Sequence, residues 1–219
     1  MDHSITLFDS KISIADDQSN LLPPCTHQKP DNFLNSNEYS RYILCCLTTT
    51  YHDNLAFYKF PSKFKIYKGD AIYRQNYSKP EGKMFFYFNA ENASADGFIH
   101  EFTLKTPIEV IALDRVSNIE VLMASALADS QIAVFDALTN NFQLDKGENK
   151  KTSIVRHRNQ MNDYLILNYL CSLGFNGFAF KPLNNQPGEI HLCMANDVIS
   201  QGQYSRYNHF FLIDTNELK

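Results

Sequence analysis

Between Gln160 and Ser200 the order of apolar and polar residues changes period, and this stretch organises the chain. Met161, Tyr164, Leu165, Leu167, Tyr169, Leu170 and Leu173 recur mostly at helical spacing. Gly174 stands just past the last turn, where a glycine commonly ends a helix. Phe175, Phe178 and Phe180 then open a short strand. A polar loop, Lys181 to Gly188, leads into a second strand, Glu189 to Met194. Glu189 is an acid at the first position of that short, mostly apolar strand. Strand interiors disfavour acids, so Glu189 is either an exposed strand end or a group held at the rim of a cleft.

The rest of the chain reads in order. Residues 1 to 35 carry no sustained period, and Asp16 to Asn20 and the Pro23-Pro24 pair break any element. They read as a loosely ordered arm with one short strand at Ile5 to Phe8. Residues 36 to 219 read as a single domain. A helix is predicted from Ser36 or Asn37 to about His52, with Tyr39, Tyr42, Ile43, Cys46 and Leu47 on one face. Phe64 to Gly69 alternates and reads as a strand, and Tyr73 to Pro80 as a loop. Met84 to Phe88 is a continuous aromatic run, which predicts a strand buried on both faces. Asn89 can cap a short helix over Ala90 to Ala95. Strands follow at Phe98 to Lys105 and Ile108 to Leu113, and helices at Asn118 to Ala128 and Ile132 to Leu138. Asn140 to Lys151 reads as a surface loop, and Phe210 to Ile213 as a last strand. This order predicts an α+β fold with a mixed, mainly antiparallel sheet.

Composition narrows the function classes. The formal net charge of -4 argues against a chain whose main task is coating nucleic acid. No apolar run is long enough to span a bilayer. The first residues lack a basic and then apolar leader, so no ordinary secretory signal is expected. Cys25, Cys45, Cys46, Cys171 and Cys193 show no C-x-x-C spacing. They are read as free thiols in a reducing compartment, with Cys171 a core residue. The histidines and cysteines form no set at ligand spacing, so no metal is predicted. Dinucleotide-binding glycine fingerprints, P-loops, nucleophile elbows and H-E-x-x-H are all missing.

Three segments, in order, resemble the ADP-ribosyltransferase-like domains of bacterial toxins, effectors and poly(ADP-ribose) polymerases. Ile66-Tyr67-Lys68-Gly69 is similar to the family's first strand, which often ends Y-R-G or Y-H-G. Phe86-Tyr87-Phe88-Asn89-Ala90-Glu91-Asn92-Ala93 resembles its second element, an aromatic strand leading into a helix. Gly188-Glu189-Ile190-His191-Leu192 resembles the strand that carries the catalytic glutamate. Ile99 to Ile108 resembles the strand and proline turn that lie between. Leu173-Gly174-Phe175-Asn176-Gly177-Phe178 is similar to the G-[FY]-D-G element before the glutamate strand. The likeness runs from about Phe64 to Ser200. Lys68 stands where Arg or His is usual, Asn89 where Ser or Thr is common, and Pro187 where arginine-modifying members carry a second acid.

The resemblance implies a mainly antiparallel split sheet with flanking helices. It also implies transfer of ADP-ribose from NAD to a protein or nucleic-acid acceptor, or NAD glycohydrolysis. NAD would be a substrate, with no metal and no membrane involved. Glu189 would accept a hydrogen bond from the 2′-OH of the nicotinamide ribose and stabilise its oxocarbenium character. Asn89 would support Glu189 or the ribose, and His191 would orient Glu189 or meet the acceptor. Tyr67 would belong to the NAD-binding strand, backbone groups of Lys68 and Gly69 would meet the nicotinamide amide, and Tyr87 or Tyr73 would stack on its ring. Such a protein would act in the cytoplasm or be delivered into a host cytosol as a toxin-like effector. The alternatives are an inactive domain of the same fold that binds a nucleotide or protein, and a tyrosine-rich interaction protein unrelated to NAD.

Overall fold

A computed structural model describes residues 47–52, 54–71, 76–77, 82–146, 152–182, 187–200 and 202–204. The N-terminal arm, most of the helix predicted from residue 36, Tyr73 and the strand predicted at 210–213 lie outside them. The element order is β1 (Thr48–His52), β2 (Leu55–Phe60), β3 (Lys65–Asp70), β4 (Asn76–Tyr77), β5 (Met84–Tyr87), α1 (Ala90–Ser94), β6 (Phe98–Thr103) and β7 (Ile108–Ala112). Then come α2 (Val116–Ala128), α3 (Ile132–Asn141), β8 (Phe142–Lys146), β9 (Thr152–Arg156), α4 (Gln160–Ser172), β10 (Gly177–Phe180), β11 (Glu189–Leu192), α5 (Ala195–Val198) and β12 (Gly202–Tyr204).

The expected α+β class holds. Ten strands form one sheet in the order β1-β2-β7-β10-β11-β5-β3-β6-β12-β4. The neighbours pair antiparallel except β10 with β7, which are parallel. The α2–α3–α4 excursion separates those two strands in sequence, as a parallel neighbour requires. The strands join in a single sheet rather than in two halves, and the slenderest join is between β3 and β5, where Tyr67 faces Tyr87.

Two further expectations are corrected. Residues 48–52, predicted as the end of a helix, form β1, which runs back along β2 with Thr48 opposite Lys59. Its Thr-Thr-Thr-Tyr run is β-branched and aromatic, which favours a strand once a partner edge is present. Asn140 to Lys151 is not all surface loop. Phe142 to Lys146 pairs with Thr152 to Arg156 as a separate two-stranded ribbon, with Phe142 opposite Arg156.

Each face of the sheet has its own core. Ile66, Phe86, Phe88, Phe102, Val110, Ile190 and Leu192 fill one side. On the other, α2, α3 and α4 cover β7 and β10 with Ile119, Leu122, Leu138, Ile166 and Leu170 against Ile111, Phe178 and Phe180. Further along that same face, α1 covers β3 and β5 with Ala90 and Ala93 on Tyr67, Tyr87 and Ile99. Asn89 caps α1 as predicted, its side-chain oxygen accepting the Asn92 N–H at 2.9 Å. Gly174, at φ 87°, ends α4.

The reading of Cys171 and Cys193 as free thiols is overturned, because they form a disulfide. Side chains alternate along a strand, so Cys193 shares a face with Glu189 and His191, and α4 packs on that face. The last turn of α4 brings the Cys171 Cα to 5.6 Å from the Cys193 Cα, a separation that a disulfide spans. Among the described residues no helix is long and apolar enough to cross a membrane. The cross-link closes a segment with a sequence separation of 22, which corresponds to about 3 kcal/mol of loop-closure entropy. Reductant, or the paired replacement Cys171→Ser and Cys193→Ser, is therefore expected to lower the unfolding free energy by about that amount, read as a lower urea midpoint at unchanged slope. A midpoint that ignores reductant would show that the bond contributes nothing.

Candidate active site

The register of three strands builds the site. On one side of β11, Glu189 lies opposite Phe180 and His191 opposite Phe178 of β10. On the other side, Glu189 lies opposite Tyr87 and His191 opposite Phe85 of β5. Each polar group thus sits in an aromatic row on the face shared by α4 and α1, in the gap between those two covers. His191 is stacked on Phe178, with ring centroids 4.3 Å apart and an interplanar angle of 13°. Phe85 lies 5.6 Å away on the other side.

Glu189 is 1% exposed, so the strand-end reading is excluded. A buried carboxylate must be paired or neutralised. Its Oε2 meets His191 Nε2 at 2.9 Å and lies 3.6 Å from Arg156 Nη2. Its Oε1 lies 3.4 Å from Arg158 Nε and carries no hydrogen bond among the described residues. Burial pushes the Glu189 pKa up. The hydrogen bond and charge of His191, then Arg156 and Arg158, outweigh it and hold the carboxyl below its ordinary range.

The partners arrive from separate elements. Arg156 ends β9, and its guanidinium lies 3.7 Å from the Phe180 ring centroid, a cation–π contact that seats the ribbon on the sheet. It donates to Asp163 Oδ2 at 3.0 Å. Asp163, in the first turn of α4, also accepts from Asn141 Nδ2 at 2.8 Å. Arg158, in the loop before α4, donates to the Tyr87 hydroxyl. Burial raises the Tyr87 pKa, with Arg158 opposing it. Asn159 caps α4, accepting from the Met161 N–H at 3.0 Å.

A cavity of about 200 Å³ opens beside these groups, with Phe85, Arg158, Asp163, Tyr164, Glu189 and His191 in its wall. Asp163, Glu189 and His191 bring three metal-ligating atoms within 4.8 Å of one another. The Arg156 guanidinium already lies against both carboxylates, so it is the cation of that cluster.

The expected site residues divide. Glu189 and His191 are joined directly. Lys68 is close enough to feel the charge of Glu189, and its ammonium sits 4.1 Å from the Phe85 ring centroid. Burial lowers the Lys68 pKa against the pull of Asp96, Asp70 and Glu189. Tyr67 is buried under α1 and serves the core. Tyr87 is buried as well, and the aromatic walls of the cavity are Phe85 and Tyr164 instead. Asn89 spends its side-chain oxygen on the α1 cap, and the groups that hold Glu189 are His191, Arg156 and Arg158. Packing by itself requires a glycine at position 69. A Cβ there would lie 2.1 Å from the Ala93 carbonyl oxygen and 2.6 Å from Asp96 Cβ.

No sequence motif singles out Arg156, Arg158 and Asp163. R-H-R alternates and could have been read as two cations on one strand face, but nothing local points them at residue 189. No family model, curated protein or solved structure matches the chain.

Two outcomes follow from this packing. Gly69→Ala is expected to lower stability by about 1–3 kcal/mol through overpacking against α1, measured by urea denaturation. The depressed Glu189 pKa contributes stability that is complete above the ordinary glutamate value near 4.5 and is lost as pH falls toward the folded value. Glu189→Gln should remove that part of the acid limb in urea midpoints taken from about pH 3 to pH 7. An acid limb identical in the variant would show that the carboxylate is not held by its neighbours.

Proposed function

We propose that the chain is an ADP-ribosyltransferase-like enzyme. In this reading it cleaves NAD at the nicotinamide–ribose bond and passes ADP-ribose to a macromolecular acceptor or to water. The observation that carries the reading is Glu189 Oε1, a buried carboxylate oxygen with no hydrogen bond among the described residues, in the wall of a cavity. Buried polar groups are almost always paired, and an exception marks a place for a ligand or water. Further support comes from the sheet. The three segments that carry the family resemblance, distant in sequence, lie on the adjacent strands β3, β5 and β11.

The chemistry assigns each group a task. The cavity is below the range of about 300–1,000 Å³ that encloses a drug-sized ligand. It would take only the nicotinamide ribose, leaving the diphosphate and adenosine outside. Glu189 Oε1 would accept the 2′-OH of that ribose. The C–N bond then breaks, and its electron pair leaves with nicotinamide. The ribose becomes cationic, and an ionised carboxylate stabilises it more than it stabilises the ground state. An acceptor oxygen or nitrogen bonds to the ribose carbon and releases its proton. His191 and the two arginines keep Glu189 ionised and fixed in direction.

A second reading, a binding module without turnover, is favoured by one contact. Arg158 already stands 3.4 Å from the free oxygen and partly neutralises it. One experiment separates the two. Purified protein is given NAD, and nicotinamide release is followed by chromatography. Release should occur, and Glu189→Gln should slow it by about 100-fold with folding intact by circular dichroism. Undiminished release in the variant rejects the role of Glu189. Thermal stabilisation by NAD with no release supports the binding module.

A further inference from the structure

Asp163 has no part in the family resemblance, yet it is 2% exposed and lines the cavity. Both of its oxygens are engaged. Oδ1 accepts from Asn141 at 2.8 Å and Oδ2 from Arg156 Nη2 at 3.0 Å. The same Nη2 lies 3.6 Å from Glu189 Oε2. One donor therefore faces two carboxylates and sits nearer to Asp163. Charge attraction falls with distance, so this placement decides how much of the cation Glu189 feels. The support is built in depth. Asn141, on α3, takes a hydrogen bond from Asn162 at 2.8 Å and gives one to the Asn159 carbonyl at 3.2 Å. Asn141 is fully buried.

We propose that Asp163 is a positioning residue: it holds the Arg156 guanidinium back from Glu189 Oε2, so that Arg156 neutralises less of the carboxylate and leaves its charge available to a ligand that meets Oε1 in the cavity. The inference rests on the reading of Glu189 as the group that faces the ribose.

Several charged or titratable groups face Glu189. They are His191 from β11 itself, Arg156 from β9, Arg158 from the loop before α4, Asp163 from α4, Lys68 from β3 and the Tyr87 hydroxyl from β5. Neutralising Asp163 removes a negative neighbour and releases Arg156 toward Glu189. Both changes favour ionised Glu189, and the second lets Arg156 close on Oε2 and neutralise more of its charge. Neutralising Arg156 removes a positive neighbour and disfavours ionised Glu189. The two substitutions therefore act in opposite directions, which general damage to the fold would not do.

Asp163→Asn, Asp163→Glu and Arg156→Gln are compared with the unaltered chain. The Glu189 carboxyl is titrated by carbon NMR without NAD, and nicotinamide release is resolved into kcat and KM across pH. Asp163→Asn should move the Glu189 titration to lower pH, and Arg156→Gln should move it to higher pH. In Asp163→Asn, kcat should fall about tenfold with KM held within about twofold, and Asp163→Glu should recover most of the loss. If Asp163→Asn does not fold, Asn141→Ala, which weakens the same carboxylate, should move the titration in the same direction by less. Shifts of the same sign in Asp163→Asn and Arg156→Gln overturn the proposal, as does a fall in kcat with no shift. If the unaltered chain releases no nicotinamide, the enzymatic reading fails, and the carboxyl titrations still decide whether Asp163 governs Arg156.

Discussion

The structure turns on keeping one carboxylate charged in a buried position. Moving an ion such as that of Glu189 out of water costs several kcal/mol after relaxation, and only close, well-aimed partners offset that. Glu189 has three, and each comes from a different place. His191 comes from its own strand, Arg156 from the end of a separate ribbon, and Arg158 from the loop that leads into α4. The sheet, the ribbon and the helical layer must all be correctly docked before the charge is satisfied. The charge cluster is therefore also a check on the fold, since a misdocked ribbon would leave a buried carboxylate exposed to its full desolvation cost.

The aromatic rows around the cluster set its position. Phe180 and Tyr87 flank Glu189, and Phe178 and Phe85 flank His191. Flat rings leave the polar groups little freedom to turn, and they form the low-polarity wall that strengthens each ion pair. The rings also receive cations: Arg156 lies over Phe180 and Lys68 over Phe85. Aromatic side chains here do two tasks, filling the core and steering the guanidinium and ammonium groups toward the carboxylate.

The boundary of the site is fixed by two packings that leave a gap between them. On one side α1 lies so close to β3 that position 69 has no room for a Cβ. On the other side α4 is tied to the end of β11 by the Cys171–Cys193 bond. The cavity lies in the interval, walled by β5, β11 and the first two turns of α4. Because the disulfide and Asp163 sit at opposite ends of the same helix, the tilt of α4 is held at one end by a covalent bond and at the other by a charged one.

The alternation in Glu-Ile-His-Leu-Cys already sends residues 189, 191 and 193 to one face, and the aromatic run at 84–88 already marks a buried neighbour. The helical period of 161–173, the glycine stop at 174 and the Asn89 cap are equally local, and all were legible, because they depend only on residues a few positions apart. Other features depend on pairings between segments that local pattern does not encode. β1 became a strand only because β2 offered an edge. Cys171 met Cys193 only because α4 lies over β11. At Gly69 the need for a glycine comes from α1, whose Ala93 carbonyl would meet any Cβ there. The two arginines are the clearest case. Their type and spacing are visible in Arg-His-Arg, but their target is set by how a ribbon folds back onto Phe180, a contact between residues far apart in the chain. The sequence determined which side chains could share a face, and tertiary packing alone decided which charges would meet there.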